Sequence, residues 1–104
     1  MRLYDLAHAR AGDKGTTSDI SVIAYRQNDY AFLERHVTSR RVREHFSDLV
    51  MGTIERYELP QLSALKFVLH HTIGGVTRTL DVDIHGKSLA SCLLELHLPE
   101  VFAV

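Results

Sequence analysis

The chain is poor in cysteine. Cys92 is the single one in 104 residues, which excludes an internal disulfide framework and fits a reducing compartment. No sign of charge dominates: 12 Lys and Arg stand against 13 Asp and Glu, a formal net charge of −1. Such a balance gives no global field to draw in nucleic acid or a membrane surface. No apolar run approaches the ~20 residues a membrane-spanning helix needs. The opening decapeptide MRLYDLAHAR breaks its apolar stretch with Arg2 and Asp5, so it does not read as a secretory signal. Repeats, linkers and low-complexity segments are missing too. The expectation is one cytoplasmic domain, residues 1–104, with a composition typical of soluble proteins: 45% apolar and 24% charged.

The elements come next. RLYDLAH (2–8) reads as a first strand and DISVIAY (19–25), rich in β-branched and aromatic types, as a second. YAFLERHV (30–37) reads as a short helical turn capped by Asp29. Thr38 opens a clearer helix that runs to Met51 before Gly52, with Val42, Phe46, Leu49 and Val50 as one apolar stripe. TIERYE (53–58) is a third strand ended by Pro60, and ALKFVLHH (64–71) a fourth with clean alternation. Gly74-Gly75 predicts a hairpin into a fifth strand at 77–82. A last helix over about 84–96, capped by Asp83 and closed by Pro99, carries Leu89, Leu93 and Leu96 on one side. This order predicts an α+β, ferredoxin-like two-layer sandwich. Its sheet is mostly antiparallel with four or five strands, and two main helices lie on one face.

The stretch ARAGDKGTTSD, Ala9 to Asp19, is the candidate site. Gly12 and Gly15 permit positive φ and close approach of another group. Amides in such a turn can converge on an anion, with Arg10 and Lys14 adding charge and Thr16 and Thr17 adding hydroxyls. The same composition also serves a plain turn between antiparallel strands. It is not a Walker loop, because Lys14 precedes Gly15 and a strand follows. Asp13 and His8 are the candidates for acid/base work. Arg56 and Glu58 are candidates for a site rim, against the plainer reading of an exposed, charge-paired strand edge.

Other features carry less. The seven histidines lack metal-ligand spacing, since His70 and His71 leave a strand on opposite sides and His36 and His45 are not an i, i+4 pair. No metal and no cofactor is expected. Arg40, Arg41 and Arg43 oppose the dipole of the helix they open, which calls for an anionic neighbour; Glu44, four residues after Arg40, is the nearest in sequence. Cys92 sits among leucines as a core residue.

Four segments, ARAGDKGTTSD, LVMGTIERYELP, ALKFVLHHTIGG and DIHGKSLA, resemble in the same order the C-terminal domain of AtuA-like proteins. These are associated with acyclic terpene utilisation and carry a large N-terminal domain; the small domain also occurs alone. The resemblance covers nearly the whole chain and implies a ferredoxin-like fold. Thr16 and Lys66 depart from it, standing where asparagine is expected. It implies an accessory module that joins a larger AtuA N-terminal-type protein, or copies of itself. The loop of donors adds the expectation that the module binds an anionic metabolite such as an acyl-CoA or carboxylate at Arg10, Gly12, Asp13, Lys14, Gly15, Thr16 and Thr17, with Arg56 and Glu58 at the rim. Two other readings stand beside it. One is a small enzyme on a CoA thioester or carboxylic acid, with Asp13 or His8 as acid/base. The other is a structural homo-oligomerisation domain, for which Val68 on the outward face of its strand is suited.

Overall fold

A computed structural model describes residues 1–14, 17–47, 50, 52–70 and 89–99. Among these residues, four strands form one antiparallel sheet: β1 (Ala7–Lys14), β2 (Thr17–Ala24), β3 (Ile54–Leu59) and β4 (Ala64–Leu69), in the order β1-β2-β4-β3. Among the described residues, three helices accompany it: α1 (Tyr30–His36), α2 (Ser39–Phe46) and α3 (Leu89–Leu93). The expected fifth strand, the Gly74-Gly75 hairpin, the Asp83 cap and residues 84–88 of the last helix lie outside the described residues.

Alternation divides the sheet into two unlike faces. Along β2, Ser18, Ile20, Val22 and Ala24 are buried while Thr17, Asp19, Ser21 and Ile23 are half-buried. Across β4, Leu65, Phe67 and Leu69 continue the buried face. The helices close over this side, with α3 against β1 and β2 and α2 against β3 and α3. Leu33, Val37, Val42, Phe46, Leu89 and Leu93 fill the space between. Asp19, Ser21 and Lys66 are left on the other, outer face.

Element boundaries differ from expectation: β2 spans Thr17–Ala24 rather than 19–25, the last helix ends at Leu93 rather than near 96, and two larger differences reshape the layout. The first strand begins at Ala7, not Arg2, and runs on to Lys14. Residues 3–5 form a single 3-10 turn instead, because Leu3 and Leu6 are both buried at a helical spacing of three and the Arg2 amide donates to the Asp5 carboxylate at 3.0 Å. The amides of Leu3 and Tyr4 donate to the carbonyls of Leu96 and Leu94, so the N-terminal segment is stitched to the chain beyond α3. The second helix ends at Phe46 rather than Met51. The chain must leave it to reach the sheet, where the Gly52 amide donates to the His70 carbonyl and the His70 amide to that of Thr53.

The capping expectations divide. The Thr38 hydroxyl accepts from the Arg41 amide at 3.1 Å, as its position predicts. Asp29 holds the cap position of α1 but makes no side-chain cap bond; its carboxylate takes Arg26 Nε at 3.3 Å. β3 and β4 are joined by residues 60–63, with Ser63 in the left-handed conformation at φ 51°.

Candidate functional site

The glycine-rich stretch is largely strand. Gly12 pairs with Asp19, Asp13 with Ser18 and Lys14 with Thr17, so only positions 15 and 16 connect β1 to β2. Gly12 is not in the left-handed region. Gly12 therefore lies within the β1–β2 ladder and not in a turn. Gly15 and Thr16 lie outside the described residues.

Gly12 lies on the outer face at one end of a groove. The Asp19 carboxylate lies over it, with Oδ1 3.4 Å from where a Cβ would stand. A groove of about 530 Å³ begins here and crosses the sheet, lined by Arg10, Ala11, Gly12, Asp19, Ser21, Ile23, Leu59, Leu62 and Ala64. The register places Arg10 opposite Ser21, Ser21 opposite Lys66 and Lys66 opposite Tyr57. Two cations thus flank a hydroxyl in one row, with ~4.8 Å between neighbouring strands. Arg10 is exposed and makes no ion pair among the described residues. Ile23, Leu59 and Leu62 give the groove an apolar end.

The other candidates are dispersed. His8 faces the outer side at the far end of β1, exposed and stacked on Tyr25 with ring centroids 5.7 Å apart. Positions 8 and 13 are five residues apart on one strand, an odd separation spanning about 17 Å, so the strand does not bring them to one reacting atom. Arg56 and Glu58 stand on β3, at the opposite edge of the four-stranded order from β1. Arg56 is structural. Its Nε donates to the Val37 carbonyl at 3.0 Å, Nη2 to the Glu34 carbonyl and Nη1 to the Glu58 carboxylate at 2.7 Å. Hydrogen bonding from Arg56 holds the Glu58 carboxyl below its ordinary value.

One polar chain escaped the sequence reading. On the outer face of β3, the Tyr57 hydroxyl donates to Glu55 Oε1, while Glu55 Oε2 meets His70 Nε2 at 3.0 Å. The bond from Tyr57, then that with His70, lowers the Glu55 carboxyl, and the hydrogen bond to Glu55, then the Glu55 charge, pushes the Tyr57 phenol up. The i, i+2 spacing of Glu55 and Tyr57 on a strand was the available signal, since it puts both on one face. His70 joins only through the β3–β4 register.

An antiparallel four-stranded sheet with helices packed on one side is an α+β architecture of the ferredoxin-like kind. The chain matches the family model of the AtuA ferredoxin-like domain over residues 1–99, and it belongs to that family. No curated protein and no solved structure matches it. No described helix is long and apolar enough to cross a membrane.

Proposed function

We propose that this chain is a cytoplasmic accessory module that binds a small anionic metabolite, a carboxylate or acyl-CoA, on the outer face of its sheet. The observation that supports this is the Arg10–Ser21–Lys66 row beside the groove. Arg10 supplies a two-pronged donor for a carboxylate, Ser21 a hydroxyl between the cations, and Ile23, Leu59 and Leu62 an apolar surface for an acyl chain. Asp19, beside the row, accepts from a ligand donor such as a hydroxyl or amide. Of the 9–19 stretch, Arg10, Ala11, Gly12 and Asp19 line the groove, with Lys14 and Thr17 paired in register beyond it.

The resemblance to fused relatives extends the reading. The module would serve a larger AtuA N-terminal-type protein or assemble with further copies of itself, and Val68, half-buried on the outer face, suits such a contact. The test is an amide NMR titration with acetate, short branched carboxylates and acetyl-CoA. Shifts gathered on Arg10, Gly12, Asp19 and Ser21, and lost in Arg10→Ala, support the reading. Absent or scattered shifts up to tens of millimolar simple carboxylate overturn it.

A further inference from the structure

A second cleft of about 490 Å³ lies between the end of α1 and the start of α2, lined by Arg35, His36, Thr38, Arg40, Arg41 and Glu44. Its charge balance is uneven. Glu44 is the one carboxylate in the lining, and it meets Arg40 Nε at 3.4 Å. The guanidiniums of Arg35 and Arg41 have no carboxylate partner among the described residues. Arg41 is half-buried, which makes its uncompensated charge costlier than that of a solvated arginine. Arg40 and Arg41 also stand in the first turn of α2, where a cation opposes the helix dipole. Burial, then the charges of Arg41 and Arg35, hold the His36 imidazole below its ordinary value, so the basic groups act on one another across the cleft. Phe32 packs against the His36 ring at 4.4 Å between centroids and fixes its place.

We infer that this cleft binds a phosphoryl group of a small phosphorylated metabolite, with Arg35 and Arg41 as its principal donors. The chemistry favours phosphoryl over carboxylate. Two unpaired guanidiniums and an imidazole match a group with several acceptor oxygens and close to two negative charges at neutral pH. The volume suits a small molecule. α1 and α2 belong to the layer on the buried side of the sheet, and this lining shares no residue with the outer-face groove. The inference therefore stands apart from the carboxylate reading, and either can fail alone.

The experiment is a calorimetric titration of the whole chain with inorganic pyrophosphate at pH 7 and 150 mM salt. The same titration is made on Arg35→Gln, Arg41→Gln and Arg26→Gln. Arg26 pairs with Asp29 outside the cleft and controls for the loss of one positive charge. Saturable binding is expected, weakened tenfold or more by Arg35→Gln and by Arg41→Gln and less than twofold by Arg26→Gln. Thermal melts establish that each variant is folded, and the surface position of these side chains favours that. In parallel, the His36 ring proton is followed by NMR against pH. Its midpoint should rise with saturating pyrophosphate, because the bound anion offsets Arg35 and Arg41. Absent binding at millimolar pyrophosphate, an equal loss in Arg26→Gln, or an unmoved His36 midpoint overturns the inference.

Discussion

Arg56 Nε donates to the Val37 carbonyl at 3.0 Å and ties the end of α1 to an inner position of β3. The same guanidinium reaches the Glu34 carbonyl and the Glu58 carboxylate. A helix end leaves carbonyls without partners, and a cation there also meets the favourable end of the dipole. One side chain thus terminates a helix, joins two layers and places a neighbouring carboxylate.

Replacing Arg56 should therefore cost stability and leave ligand binding at the outer face alone. The side chain is 17% exposed, so its bonds are only partly screened. Arg56→Ala is expected to lose about 2 kcal/mol, lowering the urea midpoint by about 1–2 M. Arg56→Lys should recover less than half, because an ammonium cannot span two carbonyls and a carboxylate together. If Arg56→Ala keeps its midpoint but loses carboxylate binding, the residue belongs to a site after all.

Tyr30 lies close by, and its buried hydroxyl has no hydrogen-bond partner among the described residues. Burial, then the charges of Glu34 and Glu58, push its phenol up. A buried hydroxyl without a partner gains nothing from its polarity and keeps its desolvation cost. Tyr30→Phe should be neutral or up to about 1 kcal/mol more stable by urea denaturation. A loss of that size would mean that the hydroxyl is bonded.

How far the sequence led depends on what each segment packs against. β2 and β4 carry β-branched and aromatic alternation, and both are interior strands, so their pattern and their role coincide. β1 is the opposite case. AHARAGDK has a turn-like composition, and its pairing with β2 decides its conformation, not its own propensity. That is why Gly12, Asp13 and Lys14 looked like a loop. The row of Arg10, Ser21 and Lys66 was hidden for a related reason. It needs the register of three strands, which no single segment encodes. Arg56 and Glu58 were legible as special but not as structural, because their partners on α1 are about 20 residues away in sequence.

The Glu55–Tyr57 pair makes a pH prediction with a definite sign. The hydrogen bond from Tyr57 lowers the Glu55 carboxyl. Its contribution is fully present above the unfolded carboxyl value of about 4.3 and is lost as pH falls through the lower folded value. Tyr57 is raised, so its contribution is present below about 10 and is lost as pH rises through the folded value. Tyr57→Phe should move the Glu55 carboxyl, followed by carbon NMR, up toward its ordinary range. The same variant should flatten both limbs of stability against pH. A Glu55 midpoint that ignores Tyr57→Phe would mean that His70 alone sets it.

Gly12 offers the sharpest separation of fold from site. Its backbone is extended, so no positive φ demands glycine there. An added Cβ would stand 3.4 Å from Asp19 Oδ1, an ordinary contact. Gly12→Ala should therefore fold, with stability unchanged or raised by up to about 1 kcal/mol through the stiffer unfolded chain. Yet the methyl would enter the groove between Arg10 and the Asp19 carboxylate. Gly12→Val would fill more of that space while also suiting a strand. Carboxylate affinity should fall in the order glycine, alanine, valine, while the circular dichroism spectrum and melting temperature hold. That pattern would show that the glycine keeps a surface open. Loss of fold in Gly12→Ala, with no graded loss of affinity, would instead tie the glycine to the β1–β2 pairing and remove the groove from consideration.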